Sequence, residues 1–87
     1  MEFEYDPNKS SSNKSKHGID FDKAKELWDD PYLLRLPSKY EAEDRYLFIG
    51  KIENKYWAAI TPYRKDAVLI ISVRRARAKE IEFYENE

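Results

Sequence analysis

The run RYLFIGKIENKYWAAIT, Arg45 to Thr61, decides the fold of this chain. From Arg45 to Ile52 the residues alternate, with Tyr46, Phe48 and Ile52 on one side and Leu47 and Ile49 on the other. A period of two marks a strand, because successive side chains point to opposite faces. Glu53-Asn54-Lys55 breaks the pattern as a turn, and Tyr56 to Thr61 returns as an adjacent strand. Pro62 ends it, since proline has no N–H to give to a ladder. So short a connection makes the two strands antiparallel neighbours.

Working outward, Tyr32 to Leu36 suits another strand, and the polar stretch from Pro37 to Asp44 reads as a loop. Beyond a second turn at Tyr63 to Asp66, Ala67 to Val73 is the most apolar run in the chain and predicts a buried central strand. Ala76 to about Tyr84 has helical propensity, with Ile81/Tyr84 and Ala76/Glu80/Phe83 at helical spacing. At the other end, Glu2 to Tyr5 alternates like a short edge strand. Asp6-Pro7 reads as an N-cap followed by proline at the first helical position, and Gly18 suits the C′ position after His17. The interior of that helix, Ser10, Ser11, Ser12, Asn13 and Ser15, offers no apolar stripe for docking. Asp20 caps a second helix, with Phe21, Ala24, Leu27 and Trp28 on one face, which Asp30-Pro31 stops. The sum is one α+β domain over residues 1–87. It has N-terminal helices, an antiparallel sheet of three to four strands, a short N-terminal strand and a C-terminal helix, with the helices expected on one sheet face.

Composition narrows the function. A domain of this size buries only about 60–65% of the surface its unfolded chain exposes, so its core must use large side chains. Seven Tyr, four Phe and two Trp supply them. There is no Cys and a single His, so disulfides are excluded and a zinc site is not expected. Two Gly exclude a glycine-rich phosphate loop. No carboxylate cluster has the spacing of a calcium or magnesium site, and no cofactor is expected. No apolar run reaches the roughly 20 residues of a membrane span, and MEFEYD lacks the basic start of a signal peptide, so a soluble cytoplasmic protein is the simplest expectation. The net charge of −1 hides an asymmetry: residues 45–79 hold nine Lys or Arg against Glu53 and Asp66, while the last eight residues hold four Glu and no base. That pattern points to an anionic partner for the middle of the chain, with an interleaved, solvated charge surface as the alternative.

Three motif stretches carry a resemblance. The first comprises Asp6, Pro7, Asn8, Lys9, Asn13, Lys16, His17, Gly18, Phe21, Ala24 and Asp30-Pro31. The second is Arg45-Tyr46 followed by Ile49-Gly50, and the third is Ile70, Ile71, Ser72, Arg74, Arg75, Ala76, Glu80 and Tyr84. In this order, and with short gaps, they resemble the BrnT family, the toxin half of a bacterial toxin–antitoxin pair. The resemblance implies a RelE-like fold and a metal-independent ribonuclease that blocks translation. It also implies a BrnA-like ribbon-helix-helix antitoxin as partner, through which operator DNA is bound. Leu69 stands where members often carry Arg, and the turn Thr61-Pro62-Tyr63-Arg64 keeps the Arg of the family's Y-T-x-R pattern and loses its Thr.

Metal-free RNA cleavage needs a base for the 2′-hydroxyl, an acid for the leaving 5′-oxygen and cations for the phosphorane. Imidazole titrates near neutral pH, so His17 is a candidate acid or base, although a helix C-terminus alone also explains a histidine there. Arg64 and Arg74 are candidates for the catalytic phosphate contact, because the guanidinium fork matches phosphate oxygens. Arg74 and Arg75 point to opposite faces of a strand, so one faces the site while the other pairs with Glu80 or the acidic tail. Glu80 is a candidate base or an arginine's partner. Arg45, Lys51, Arg75 and Tyr84 are candidate RNA contacts, Tyr84 by stacking or through its hydroxyl, with core packing as the alternative. Two further readings stay open. One is a catalytically inactive module that keeps the fold and binds an antitoxin-like protein or RNA; the other is an RNA- or ribosome-binding domain with no toxin role.

Overall fold

A computed structural model of the chain describes residues 2–40, 43–62 and 66–86. Its centre is the hairpin read from the sequence. Strands β3 (Glu43–Ile52) and β4 (Lys55–Pro62) pair antiparallel with Ile52 opposite Lys55. Glu53 and Asn54 alone make the turn, at φ 57° and 95°. Positive φ at both central residues gives the turn the twist that the flanking strands require.

Strand β2 (Leu34–Tyr40) flanks β3, and β6 (Ser72–Arg75) flanks β4, giving the order β2-β3-β4-β6. Two sequence expectations change here. Residues 37–40 are not loop: β2 runs through Pro37, which lies opposite Tyr46. Proline is tolerated because β2 is an edge strand, where one row of N–H groups has no neighbour to serve. The apolar run from Ala67 to Val73 is not one central strand. It divides into β5 (Val68–Leu69), which pairs in parallel with β1 (Phe3–Glu4), and β6, which lies at the sheet edge. Ile70 and Val73, 1% and 0% exposed, reach the core from either side of that break, so the run is buried as expected but differently placed. The expected turn at residues 63–66 falls mostly outside the described residues.

The helices start where local chemistry starts them. Asp6 Oδ1 accepts the Asn8 N–H at 2.8 Å and opens α1 (Pro7–His17), and Gly18 closes it at φ 83°. Asp20 Oδ1 accepts the Lys23 N–H at 2.8 Å and opens α2 (Phe21–Ala24). The helix expected from there to Asp29 tightens after one turn into a 3₁₀ segment, Lys25–Asp29. Helix α3 (Ala78–Glu85) begins two residues later than its propensity suggests, because the Glu80 carboxylate accepts the Arg77 N–H at 2.8 Å and fixes the start there. Arginine has no acceptor to return, so only half of a capping box is made.

The helices cover both sheet faces, not one. Trp57 and Ala59 of β4 pack with Ile19, Phe21, Ala24 and Leu27, under α1, α2 and the 3₁₀ segment. Ala58, between them, packs with Ile49 and Leu34 on the other face, against Ala76 and Tyr84 of the C-terminal segment. Alternate residues of one strand thus serve two cores, as the period of two demands. Each fully buried Phe, Leu, Ile or Val contributes roughly 1.5–3 kcal/mol. Gly50 permits the close approach of the 3₁₀ segment: a Cβ there would stand 3.0 Å from Leu27 Cδ2 and 3.2 Å from Asp30 Oδ2. No helix among the described residues is long and apolar enough to cross a membrane.

Helix α1 docks without an apolar stripe. Ser10 and Asn13 are buried. Ser10 Oγ accepts the Phe21 N–H at 2.8 Å. Asn13 Nδ2 donates to Ile19 O at 2.8 Å and to Val73 O at 2.9 Å, while Asn13 Oδ1 accepts the Val73 N–H at 3.2 Å. One amide therefore serves the outer edge of β6 as a neighbouring strand would, which also closes that edge to further pairing.

Candidate functional site

Two recesses bring chemistry-bearing side chains together. The first lies where α1 meets β6. Lys9, Ser12, Asn13 and Lys16 recur at helical spacing on one face of α1 and, with His17, face Ile71 and Ser72 across a groove of about 200 Å³. Among the described residues, no carboxylate lines it. No ion pair joins Lys9, Lys16 or His17 to an acid among the described residues. Asn13 forms the groove's floor through its bonds to Val73, so the two walls are held together by a buried contact. Such a groove suits an anion.

The second recess, about 600 Å³, lies between the 3₁₀ segment, the β3–β4 turn and the end of α3. Its hub is Asp30. Oδ1 accepts the Tyr32 N–H at 2.8 Å; Oδ2 accepts the Lys51 N–H at 2.9 Å and the Tyr84 hydroxyl at 2.7 Å. Burial pushes the Asp30 carboxyl up, but these donors outweigh it and hold its pKa below the ordinary carboxylate value. Burial, and then the bond to Asp30, raise the Tyr84 hydroxyl well above the ordinary tyrosine value. Tyr56 stacks edge-on against Tyr84 with ring centres 5.7 Å apart and donates to Glu85 Oε2 at 2.5 Å. The Lys51 ammonium sits 5.3 Å from the Tyr56 ring centre. Glu26, Asp29, Asp30, Glu53 and Glu85 line this recess against Lys51, so it repels anions.

The other described candidates fall outside both recesses. Arg74 and Glu80 hold each other: Nη1 and Nη2 reach Oε1 and Oε2 at 2.8 Å each, with side chains only 19% and 12% exposed. The Arg74 guanidinium, and next the Arg77 N–H, keep Glu80 below the usual carboxylate range despite its burial. Arg75 points to the opposite face, where its guanidinium lies 5.4 Å from the Trp57 ring centre and its Nε donates to Tyr56 O at 3.3 Å. Arg45 sits at the far end of β3 from Lys51, opposite Ser38 and Pro62, roughly 20 Å along the strand. Arg64 lies outside the described residues. The structure thus brings Lys51 and Tyr84 together, binds Arg74 to Glu80, and leaves His17, Arg75 and Arg45 in three separate places.

Among the described candidates named from sequence, only His17 lines the groove. Lys9, Ser12, Lys16 and Ser72 were missed as site residues. The signal for the first three was a polar stripe on α1 free of acids; Ser72 needed the tertiary structure. Among the described residues, no group of three or more His, Asp or Glu side chains is placed to share a metal ion.

The groove draws Lys9, Asn13, Lys16 and His17 from the first motif stretch and Ile71 and Ser72 from the third, and the same two stretches give Asp30, Pro31 and Tyr84 to the second recess. The model of the family described as the ribonuclease toxin BrnT of a type II toxin–antitoxin system matches residues 5–80. No curated relative matches the chain. Toxins of type II systems act opposite a protein antitoxin. The match takes in every element from α1 to β6 and reaches into α3, and the chain belongs to the BrnT family of ribonuclease toxins.

Proposed function

We propose that this chain is a cytoplasmic, metal-independent endoribonuclease that cleaves RNA, arrests translation and is held inactive by a BrnA-like ribbon-helix-helix antitoxin, which alone contacts operator DNA. The observation that supports cleavage is the distribution of uncommitted charge. The single imidazole stands in a groove with two ammonium groups and, among the described residues, no carboxylate, a net charge that favours an RNA phosphate. Metal independence is supported by the donor set: one His and no Cys do not suit zinc, and among the described residues no three His, Asp or Glu side chains are placed to share an ion. Within this reading His17 is the proton-transfer group. Arg64 stays a candidate for phosphate contact on its chemistry alone. We assign Arg74 and Glu80 to anchoring α3, because a guanidinium already held by two oxygens has little left for phosphate. The same ion pair favours the second reading, a module that binds its partner without catalysis.

Expression of the chain alone in a bacterial host, followed by translation and RNA integrity, separates the two. Arrest with fragmented RNA, reproduced by the purified chain in excess EDTA, is expected. Intact RNA and unchanged translation with a soluble, folded chain select the binding module, and cleavage abolished by EDTA removes metal independence.

A further inference from the structure

The structure assigns the groove between α1 and β6, we infer, as the seat of a single RNA phosphodiester, held by Lys9, Lys16, Ser12 and Ser72 with His17 at the 2′-oxygen. This rests on the ribonuclease reading and adds the residues and the substrate unit. The size fits one backbone unit: about 200 Å³ lies below the roughly 300 Å³ at which pockets begin to enclose a drug-sized ligand. The charge fits as well. The C-terminal end of a helix carries about half a negative elementary charge, which alone would repel phosphate. Lys14 and Lys16 in the last turn of α1, with Lys9 two turns earlier, more than reverse it. The Ser12 and Ser72 hydroxyls add donors from opposite walls. The walls do not need to assemble around the ligand, because Asn13 already fixes α1 to β6 at both Val73 N and O.

The chemistry balances without a further reagent. The 2′-oxygen bonds to phosphorus as the bond from phosphorus to the 5′-oxygen breaks. The 2′-proton passes to the His17 imidazole, and the departing 5′-oxygen takes a proton from water. The products are a 2′,3′-cyclic phosphate end and a free 5′-hydroxyl. Ammonium groups from Lys9 and Lys16 face the charge that grows on the non-bridging oxygens.

A chain with one histidine gives one set of imidazole proton signals, so NMR titration reads this groove directly. The probe is a short single-stranded RNA, 2′-O-methylated so that it binds and is not cut. The His17 signals are expected to shift and saturate with the binding curve. Lys9→Ala/Lys16→Ala is expected to bind at least roughly tenfold more weakly. Its salt slope should fall by about 0.7 for each phosphate no longer neutralised. On cleavable RNA, His17→Ala is expected to lose roughly 10²–10⁴-fold in rate with little change in affinity. Imidazole signals that stay put at saturating RNA overturn the assignment whatever the variants do. A Lys9→Ala/Lys16→Ala variant that cleaves RNA as well as wild type overturns the groove and leaves the ribonuclease reading standing. A wild type that binds through the groove and cleaves nothing keeps the phosphate seat and overturns the catalysis.

Discussion

The two recesses differ in the opposite sense to their size. Among the described residues, the larger, at Asp30, is rimmed by five carboxylates and one lysine; the smaller, at α1, holds Lys9, Lys16 and His17 and no acid. At an effective dielectric constant of about 20, a unit charge 4 Å from a phosphate oxygen is worth about 4 kcal/mol of attraction or repulsion. Sign therefore outweighs volume when the ligand is RNA. The comparison also shows why charge has to be counted after pairing. The basic stretch from 45 to 79 looks like the anionic-partner surface in sequence. Its Arg74 goes to Glu80, its Lys79 to Glu82, and its Lys51 stands among acids. Helix α1, with three lysines and no carboxylate of its own, keeps its charge available.

Reversing the charges of each recess breaks this comparison most directly. Lys9→Glu/Lys16→Glu is expected to weaken RNA binding by roughly 10²-fold or more at moderate salt, whereas Glu53→Lys/Glu85→Lys, in the larger recess, is expected to change it less than about threefold. Fluorescence anisotropy with one labelled RNA reads both. The reverse ranking would move the RNA site to the Asp30 recess. A second test removes the floor of the groove. Asn13→Ala leaves the N–H and carbonyl of Val73 and the carbonyl of Ile19 without their partner. Each buried group left unsatisfied costs about 1–3 kcal/mol, so a loss of about 3 kcal/mol is expected in urea unfolding. A loss under about 1 kcal/mol would mean that water replaces the amide and that α1 is not anchored there.

Asn13 also marks the limit of what the sequence could tell. The hairpin, the N-cap at Asp6, the cap at Asp20 and the left-handed Gly18 were legible, because each is set by residues within a few positions of one another. The docking of α1 was not. It runs through buried Ser10 and Asn13, and a search for apolar periodicity sees only a poor helix. The apolar run from Ala67 to Val73 is buried as its composition suggests, yet burial does not say which neighbours a strand has, and the run splits between two sheets. Helices on both faces could have been inferred from β4 itself, where Trp57, Ala58 and Ala59 are buried in succession; a strand with only one covered face would alternate. For the site, strand parity correctly put Arg74 and Arg75 on opposite faces but not which of them would meet Glu80. The motif histidine was legible as a candidate. The groove around it depends on β6 passing α1 some 60 residues later in the chain.

The Arg74–Glu80 pair sharpens the comparison from the other side, because it should matter to stability and not to RNA. Arg74→Ala strands a carboxylate that is 12% exposed, so a loss of about 2–4 kcal/mol is expected. Replacing both partners, Arg74→Met with Glu80→Leu, is expected to recover much of it, since no charge is then left in the partly buried site. Both variants, compared under conditions where each is folded, should bind RNA within about twofold of wild type. A tenfold loss of RNA affinity in the double variant, with the fold intact, would return Arg74 to the site.

The Asp30 recess supplies the smallest and most specific test. Asp30 and Glu80 both have folded-state pKa values below their ordinary ones. Such groups contribute stability that is complete above the unfolded value, roughly pH 4–4.5, and is lost as pH falls through the folded value. Tyr84 has the opposite sign: its raised pKa contributes stability below about pH 10 that is lost as pH rises beyond it. Tyr84→Phe removes the hydroxyl that Asp30 accepts at 2.7 Å. Because the carboxylate is only partly buried, about 1 kcal/mol is expected at pH 7. That difference should shrink on acidification, since a protonated Asp30 no longer gains from a charge-assisted donor. Urea midpoints of wild type and Tyr84→Phe at pH 7, 4 and 3 read the convergence. A constant gap across that range would place the contribution of Tyr84 in ring packing against Tyr56 rather than in its bond to Asp30. In either case RNA affinity should be unmoved, because the Asp30 recess is lined by five carboxylates and lies apart from the groove proposed as the phosphate seat.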